Sequence, residues 1–510
     1  MSRILKFLTG RFTIVAVLIT AQLLLVAASV NFFSEYLAVY FGLNTVIALA
    51  VVCRIVAKRD NPAYKMAWII LVLLIPPFGA AVYFIFSGNQ LTERTKRKLS
   101  GMYDVMKLYP VCGTEPPKVI FDSDSSRRQS DYILSTTACP PYVNSGCTYY
   151  SSGEEMFPAL LEKLRGAEKF IFLEYFIIAK GVMWDAIHEI LVKKASEGVD
   201  VRVIYDDMGC ISKLESGYNR VLEREGIGCR VFNRFIPILS ARLNNRNHRK
   251  ICVIDGRCAF TGGLNLSDEY INETHPFGYW KDNAVMLEGK AVYSMTLMFL
   301  SMWDSLSYQG KHGRTDVSEY FPLFEERLND GVVQPYTDNP LDDEAVGETV
   351  YLNMIYSATK YIWITTPYLI IDYNMEQALC NAAKSGIDVR IIVPGIPDKK
   401  IIYEATRSNY KALIDSGVRI YEYTPGFIHS KTFLCDDKYG TVGSVNLDYR
   451  SLYLHFECGV WLWGASALKD IKRDLEDIFK VSREVTKESC KANIFKRAMR
   501  SVLEVMAPLF

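Results

Sequence analysis

Histidine is scarce in this chain, with six in 510 residues. An excess of charge of either sign is missing too: 58 Lys and Arg face 57 Asp and Glu, a net charge of +1. That balance disfavours a polynucleotide binder, which usually carries a basic footprint. The twelve cysteines include no Cys-x-x-Cys pair and no zinc-like spacing, so no metal site is expected from them. They are also too sparse for a disulfide scaffold, and buried thiols in a reducing compartment are the default. Beyond residue 87 there is no further charge-free apolar run of bilayer length.

Such runs are present at the N-terminus. Phe12–Val30, Leu37–Cys53 and Ala67–Ser87 are each close to the length that crosses a bilayer. Arg3, Lys6 and Arg11 before the first run, followed by the small residues of "VAAS", also fit a cleaved signal peptide, but two more runs follow. The same three basic residues place the N-terminus in the cytoplasm, as Arg54, Lys58, Arg59 and Lys65 do the loop after run two. Three full spans would put the basic "ERTKRK" (Glu93–Lys98) outside, against that rule. The "IPPFG" inside run three resolves this, because adjacent prolines cannot continue a helix. A re-entrant third segment, with both flanks cytoplasmic, is expected. Residues 1–98 are therefore read as a multi-pass membrane region and 99–146 as a linker, including the polar "DSDSSRRQS" (Asp122–Ser130).

From Cys147 the composition is that of a globular α/β protein, and the pattern repeats. Gly153 opens "GEEMFPALLEKLRGAEKFIFLEYFII" and Gly347 opens "GETVYLNMIYSATKYIWITTPYLI", each an amphipathic helix before an apolar strand. "ASEGVDVRVIYDD" (Ala195–Asp207) is matched by "AKSGIDVRIIVPG" (Ala383–Gly395), and "GCRVFNRF" (Gly228–Phe235) by "GVRIYEYTP" (Gly417–Pro425). The expected fold is α/β: two similar sandwich halves, 147–325 and 326–490, about a pseudo-twofold axis. The tail 491–510 reads either as an amphipathic helix at a membrane interface or as one packed on the domain.

Each half then carries the same histidine frame. "NHRKICVID" holds His248, Lys250 and Asp255; "IHSKTFLCD" holds His429, Lys431 and Asp436. Positions i and i+2 of a strand share a face, so each His and Lys point the same way. Asp255-Gly256 and "DDKYG" (Asp436–Gly440) read as hairpin turns. The return arms reach "GGLN" with Gly263 and Asn265, and "GSVN" with Ser444 and Asn446, each Asn ten positions after its Asp. A neutral imidazole is a nucleophile and base, and its conjugate acid protonates a leaving group. Lysine and the Asn amide suit phosphoryl oxygens, and glycine lets backbone approach an anion. Two copies facing each other suit one phosphodiester, without metal. Either histidine is a candidate for the attack. Asp255 and Asp436, in turns, are either structural or catalytic.

The duplicated His-Lys-Asp motif resembles the signature of the phospholipase D superfamily. "NPAYKMAWIILVLLIPPFGAAVYFIFSG", "LEYFII", "GGLNLSDEY", "GFIHSK" and "GSVNLDYRS" narrow the resemblance to bacterial cardiolipin synthases, over nearly the whole chain. The resemblance implies a phosphohistidine on His248, with His429 as general acid and then base. It implies Lys250, Lys431, Asn265 and Asn446, with Gly263 and Ser444, around the phosphoryl group. Asp282 in "YWKD" and Glu457 in "LHFECGV" match downstream carboxylates that orient the histidines. Gly263, where the second copy has Ser444, departs from the general superfamily pattern but is shared by cardiolipin synthases. The implied reaction joins two phosphatidylglycerol molecules into cardiolipin and glycerol at the bacterial cell membrane, with no cofactor, no metal and no nucleic acid partner. A hydrolase, a transferase to another acceptor, a membrane-tethered nuclease and a non-enzymatic scaffold are the alternatives.

Overall fold

The structure, a computed structural model, describes residues 20, 24, 37–58, 61–76, 78–86, 119–143, 145–234, 245–306, 315–320, 330–342, 344–491 and 493–507. The run 12–30, apart from Thr20 and Leu24, and the basic clusters before it and at 93–98 lie outside the described residues. The chain divides into two compact units, Met1–Glu93 with Phe235–Asn244 and Ser501–Phe510, and Arg94–Arg234 with Asn245–Arg500.

In the first unit the second apolar run forms the helix Leu37–Ala57, among the described residues the one long and apolar enough to cross a bilayer. The third run is two helices, Pro62–Leu74 and Phe78–Phe86. Asn61 starts the former, its side chain accepting from the amide of Ala63, with proline in the first turn, where its missing N–H costs nothing. The break falls at Ile75 and Pro76, as the proline pair requires. A side chain at Gly79 would meet the Leu71 carbonyl oxygen at 2.5 Å, so only glycine lets the second helix start so close to the first. At 13 and 9 residues these helices reach about 20 and 14 Å, short of the ~30 Å hydrocarbon core. Trp68 and Tyr83 stack edge-on at 5.4 Å in a cluster with Ala48, Val51, Ile55 and Val72. The opposite side of Leu37–Ala57 leaves Val39, Leu43, Val46, Leu49 and Val56 exposed.

The second unit contains the two halves. The first sheet runs, in spatial order among the described residues, Ser145–Tyr150, Ala284–Gly289, Cys258–Gly262, Ile251–Ile254, Phe170–Tyr175, Asp200–Asp206 and Gly228–Phe232. The second runs Val332–Asp338, His455–Trp463, Tyr439–Gly443, Thr432–Cys435, Tyr361–Thr365, Asp388–Pro394, Arg419–Tyr423 and Ser482–Glu484. Both are mixed: the helix-linked strands pair parallel, and the motif hairpins pair antiparallel. Helices such as Val182–Ser196 and Tyr373–Lys384 connect the parallel strands. The helix Ala291–Ser305 is buried at every position from Ala291 to Trp303 and touches strands of both sheets. It has no charged residue before Asp304, as a helix buried all round requires.

The halves exchange strands. Arg246–Asn247, just before the first motif, pairs parallel with His455–Phe456 of the second half. Gly426–Ile428, just before the second, pairs parallel with Tyr279–Lys281 of the first. Each motif therefore leaves one half and enters the other at its histidine. The expected linker 99–146 needs correction, because Asp124–Thr137 is a helix capped by Ser123, whose hydroxyl accepts from the Ser126 amide. Gln129 donates to the carbonyl of Val350, and Ile133 is fully buried, so a segment that looks polar in sequence is amphipathic and packed. At the other end, Ile494–Met506 is a helix with Ile494, Phe495, Met499 and Val502 exposed, while Arg500 binds Glu404 at 2.8 Å.

Candidate active site

His248 and His429 each lie at 7% exposure, and Lys250 and Lys431 at 1%. The main-chain amide of His248 donates to Phe456 (2.9 Å), and that of His429 to Lys281 (2.7 Å), so each motif is fixed by the residue just before the other half's carboxylate. The side chains then pair crosswise. His248 Nδ1 lies 2.9 and 3.0 Å from the two Glu457 oxygens, and His429 Nδ1 lies 2.6 Å from Asp282 Oδ2. A carboxylate only accepts, so each Nδ1 carries the proton and each Nε2 keeps its lone pair for chemistry.

The two carboxylates are held differently. Glu457 also accepts from the hydroxyls of Ser451 (2.5 Å) and Ser444. Asp282 accepts from the Asn283 amide at 2.9 Å, and Gly263 leaves the space it fills: a Cβ there would stand 2.0 Å from Asp282 Oδ1. Glycine in one copy and serine in the other thus match the shorter and longer acid. Ser444, fully buried, spends its hydroxyl on Glu457 and on the Cys458 backbone. The expected substrate contact by Gly263 and Ser444 is therefore corrected to support of the carboxylates.

Asp255 and Asp436 are likewise corrected. Each is seven residues past its histidine, at the far end of the motif strand, and at positive φ in a turn whose next residue is also positive, as a type I′ hairpin requires. Asp255 accepts from the amides of Glu168, Lys169 and Phe170 at 2.7–2.8 Å. Asp436 accepts from Thr359, Lys360 and Tyr361. Their oxygens are consumed in tying the hairpin to the start of the neighbouring strand.

Asn265 and Asn446 are buried at the ends of the return arms. Asn265 accepts from the Ile177 amide and donates to the Tyr270 hydroxyl, while Asn446 donates to Asp448 at 3.0 Å. Each amide has a second N–H. Lys250 Nζ donates to the His248 carbonyl at 2.5 Å, and Lys431 to that of His429, curling each ammonium beside its own imidazole.

Burial sets the electrostatics. It pulls His429 down to about 4, with the Lys431 charge acting the same way and Asp282 opposing. His248 is pulled down to about 3 by burial, Glu457 opposing and Lys250 reinforcing. Burial also lowers Lys431 to about 7 and Lys250 to about 8. Burial pushes the Asp282 carboxyl up, but Lys431 and His429 outweigh it and hold it below the usual range. Lys431 feels Glu457 and Lys250, and Lys250 feels Asp282, so charges of the two halves act on one another.

Sequence reasoning missed the surroundings. Glu174 forms a buried pair with Arg249 at 2.8 Å and accepts from Asn247; in the second half Thr365 and Ser430 hold that place with a 3.0 Å hydroxyl bond. Tyr270, Trp280 and Phe427 surround His429, while Phe176 and His455 flank His248. His455 stands two residues before Glu457 in "LHFE" and was readable there.

Residues 160–303 and 351–480 match the family described as cardiolipin synthase, phospholipase D-like domain, one block in each half. Residues 45–88 match the phospholipase D-nuclease N-terminal family. The chain belongs to the phospholipase D-like cardiolipin synthase family. It is 33% identical to cardiolipin synthase 2 of Bacillus anthracis over 91% of this chain and 90% of that one. It is 32% identical to the cardiolipin synthase of Geobacillus kaustophilus over 98% and 99%. Among solved structures, the phosphatidylserine synthase of Haemophilus influenzae shares the fold, with a TM-score of 0.58 at 16% identity, covering 76% of this chain and 98% of that chain.

Proposed function

We propose that this protein is a phosphatidyltransferase that makes cardiolipin and glycerol from two phosphatidylglycerol molecules. The observation that carries the reading is the crosswise pairing, which presents two neutral imidazoles, each tautomer set by a carboxylate of the other half, beside two buried lysines. His248 attacks phosphorus through Nε2. The glycerol oxygen departs as His429, which gains a proton when the anionic substrate binds, gives that proton up, leaving a phosphatidyl group on His248. His429, now neutral, takes the proton from a hydroxyl of a second phosphatidylglycerol, whose oxygen displaces His248. Lys250 and Lys431 neutralise the phosphoryl oxygens, and the second amide N–H of Asn265 and of Asn446 donates to the same charge. Their near-complete burial helps keep out water, which would divert the intermediate to phosphatidic acid.

Lipid substrates explain the N-terminal unit. Leu37–Ala57 crosses the bacterial cell membrane, and the two shorter helices after it form a re-entrant pair with both flanks on the cytoplasmic side. The exposed apolar residues of Ile494–Met506, with Lys496 and Arg497 beside them, rest at the interface. The test is incubation of the purified full-length protein with labelled phosphatidylglycerol. Cardiolipin and glycerol in equal amounts are expected. Phosphatidic acid as the main product makes the protein a hydrolase instead.

A further inference from the structure

We propose that His455, Glu457 and His248 form a binding site for a divalent transition-metal ion, zinc foremost, and that an ion held there shuts off phosphatidyl transfer. The absence of zinc-like cysteine spacing does not bear on this site, which uses no thiolate.

His455 and Glu457 are alternate residues of the strand His455–Trp463 and so share a face. The His455 ring centroid lies 5.4 Å from that of His248. Its Nδ1 stands 3.7 Å from Glu457 Oε1, beyond hydrogen-bond length, and neither of its ring nitrogens makes a hydrogen bond. The side chain is only 12% exposed. A buried imidazole with both nitrogens idle, facing a carboxylate and a second imidazole, is short of a partner.

The geometry fits an ion. One ligand atom from each of the three residues lies within 4.8 Å of the other two. Zinc bonds of ~2.0–2.1 Å place tetrahedral donors about 3.3 Å apart. Glu457 Oε1 is 2.9 Å from His248 Nδ1 and 3.7 Å from His455 Nδ1, values on either side of that spacing. Two imidazoles and one carboxylate also leave a fourth position open, and imidazole donors favour zinc, copper or nickel over magnesium or calcium. Ser444 and Ser451, both donating to Glu457, hold the carboxylate in place as outer partners. Lys250 opposes the added positive charge, which keeps the affinity below that of a closed structural site.

Binding replaces one proton. The ion takes the His248 Nδ1 lone pair where the proton shared with Glu457 had been, and that proton leaves to solvent; nothing is oxidised or reduced. His248 then carries a cation on its ring and is a poor nucleophile. Only this inhibitory consequence rests on the function proposed above, since metal binding itself needs no turnover.

The test uses the chelator-stripped full-length protein in neutral detergent, titrated with Co²⁺, alongside His455→Asn and His455→Ala. A visible absorption band of tetrahedral Co²⁺ is expected for the unaltered protein and lost in both variants. Zinc should inhibit cardiolipin formation, with the half-inhibiting concentration, taken against each variant's own metal-free rate, raised at least about ten-fold by either substitution. A band or a zinc sensitivity indifferent to both substitutions overturns the site. If the band depends on His455 but no cardiolipin forms, the site stands and the proposed function falls.

Discussion

His248 and Glu457 are 209 positions apart in the chain and 2.9 Å apart in space, in different halves of the duplicated fold. His429 and Asp282 repeat the arrangement in the opposite sense, 147 positions apart and 2.6 Å in space. Neither half holds a complete histidine–carboxylate pair of its own. Glu457→Gln and Asp282→Asn keep the shape but offer an amide where the imidazole needs an acceptor, which upsets the tautomer. Each is expected to lower cardiolipin formation by about 10²–10⁴-fold with the fold retained by circular dichroism. A loss below ten-fold in both would remove the orienting role.

The two histidines separate by leaving group. With phosphatidylglycerol, His248→Asn and His429→Asn should both be inactive. With a phosphatidyl ester of a good leaving group such as p-nitrophenol, protonation is not needed. His429→Asn should then release one equivalent of nitrophenol in a burst and stall as the phosphatidyl-enzyme, while His248→Asn releases none. The reverse pattern would assign the nucleophile to His429.

The repeat, the helix–strand alternation and the paired motifs are legible in the sequence because each is a local pattern of residue type and spacing. The strand exchange is not, because Arg246–Asn247 and Gly426–Ile428 are too short to carry a periodic signal and pair with residues far along the chain. The aspartates misled for a related reason: a strand of four residues, Ile251–Ile254, separates Asp255 from the histidine end of the motif, so frequent company in sequence becomes separation in space. Asp124–Thr137 was obscured because its buried face is built partly from Ser126, Gln129 and Ser130, which look like solvent residues until their partners are known.

Gly263 tests how tightly the shorter acid is fitted. Gly263→Ser copies the residue found at 444 in the other half, yet its Cβ would overlap Asp282 Oδ1. The carboxylate must swing away from His429, so a loss of roughly 10²-fold or more in rate is expected. Ser444→Ala, which removes one of three donors from Glu457, should cost less. Equal activity of Gly263→Ser and the parent would show that Asp282 tolerates displacement.

Asp436→Asn is a stability variant. The carboxylate accepts from three main-chain amides and the Thr359 hydroxyl, and an amide supplies only one accepting oxygen. The expected cost is about 1–3 kcal/mol, with the rate per folded molecule nearly unchanged. Thermal unfolding monitored beside initial rates checks both, and a large rate loss without a lower midpoint would return Asp436 to the chemistry.

Substrate binding should draw in protons. In the free protein His429 sits near 4, lowered by burial and by Lys431 and Lys250 against Asp282, so at pH 7 it is neutral. Lys431, near 7 under burial against Asp282, with Lys250 reinforcing burial and Glu457 and Asp448 opposing it, is only partly charged. The general acid step needs an imidazolium, so the proton must arrive with the substrate. A phosphodiester brings one negative charge into this buried space, which raises both groups. Binding of phosphatidylglycerol to His248→Asn, which cannot react, should therefore take up at least about one proton at pH 7, and the uptake should shrink as pH falls through 4, where His429 gains its proton before binding. Calorimetry in buffers of different ionisation enthalpy measures it. A buffer-independent binding heat at pH 7 would mean that His429 gains no proton from binding, and the acid role would pass to another group.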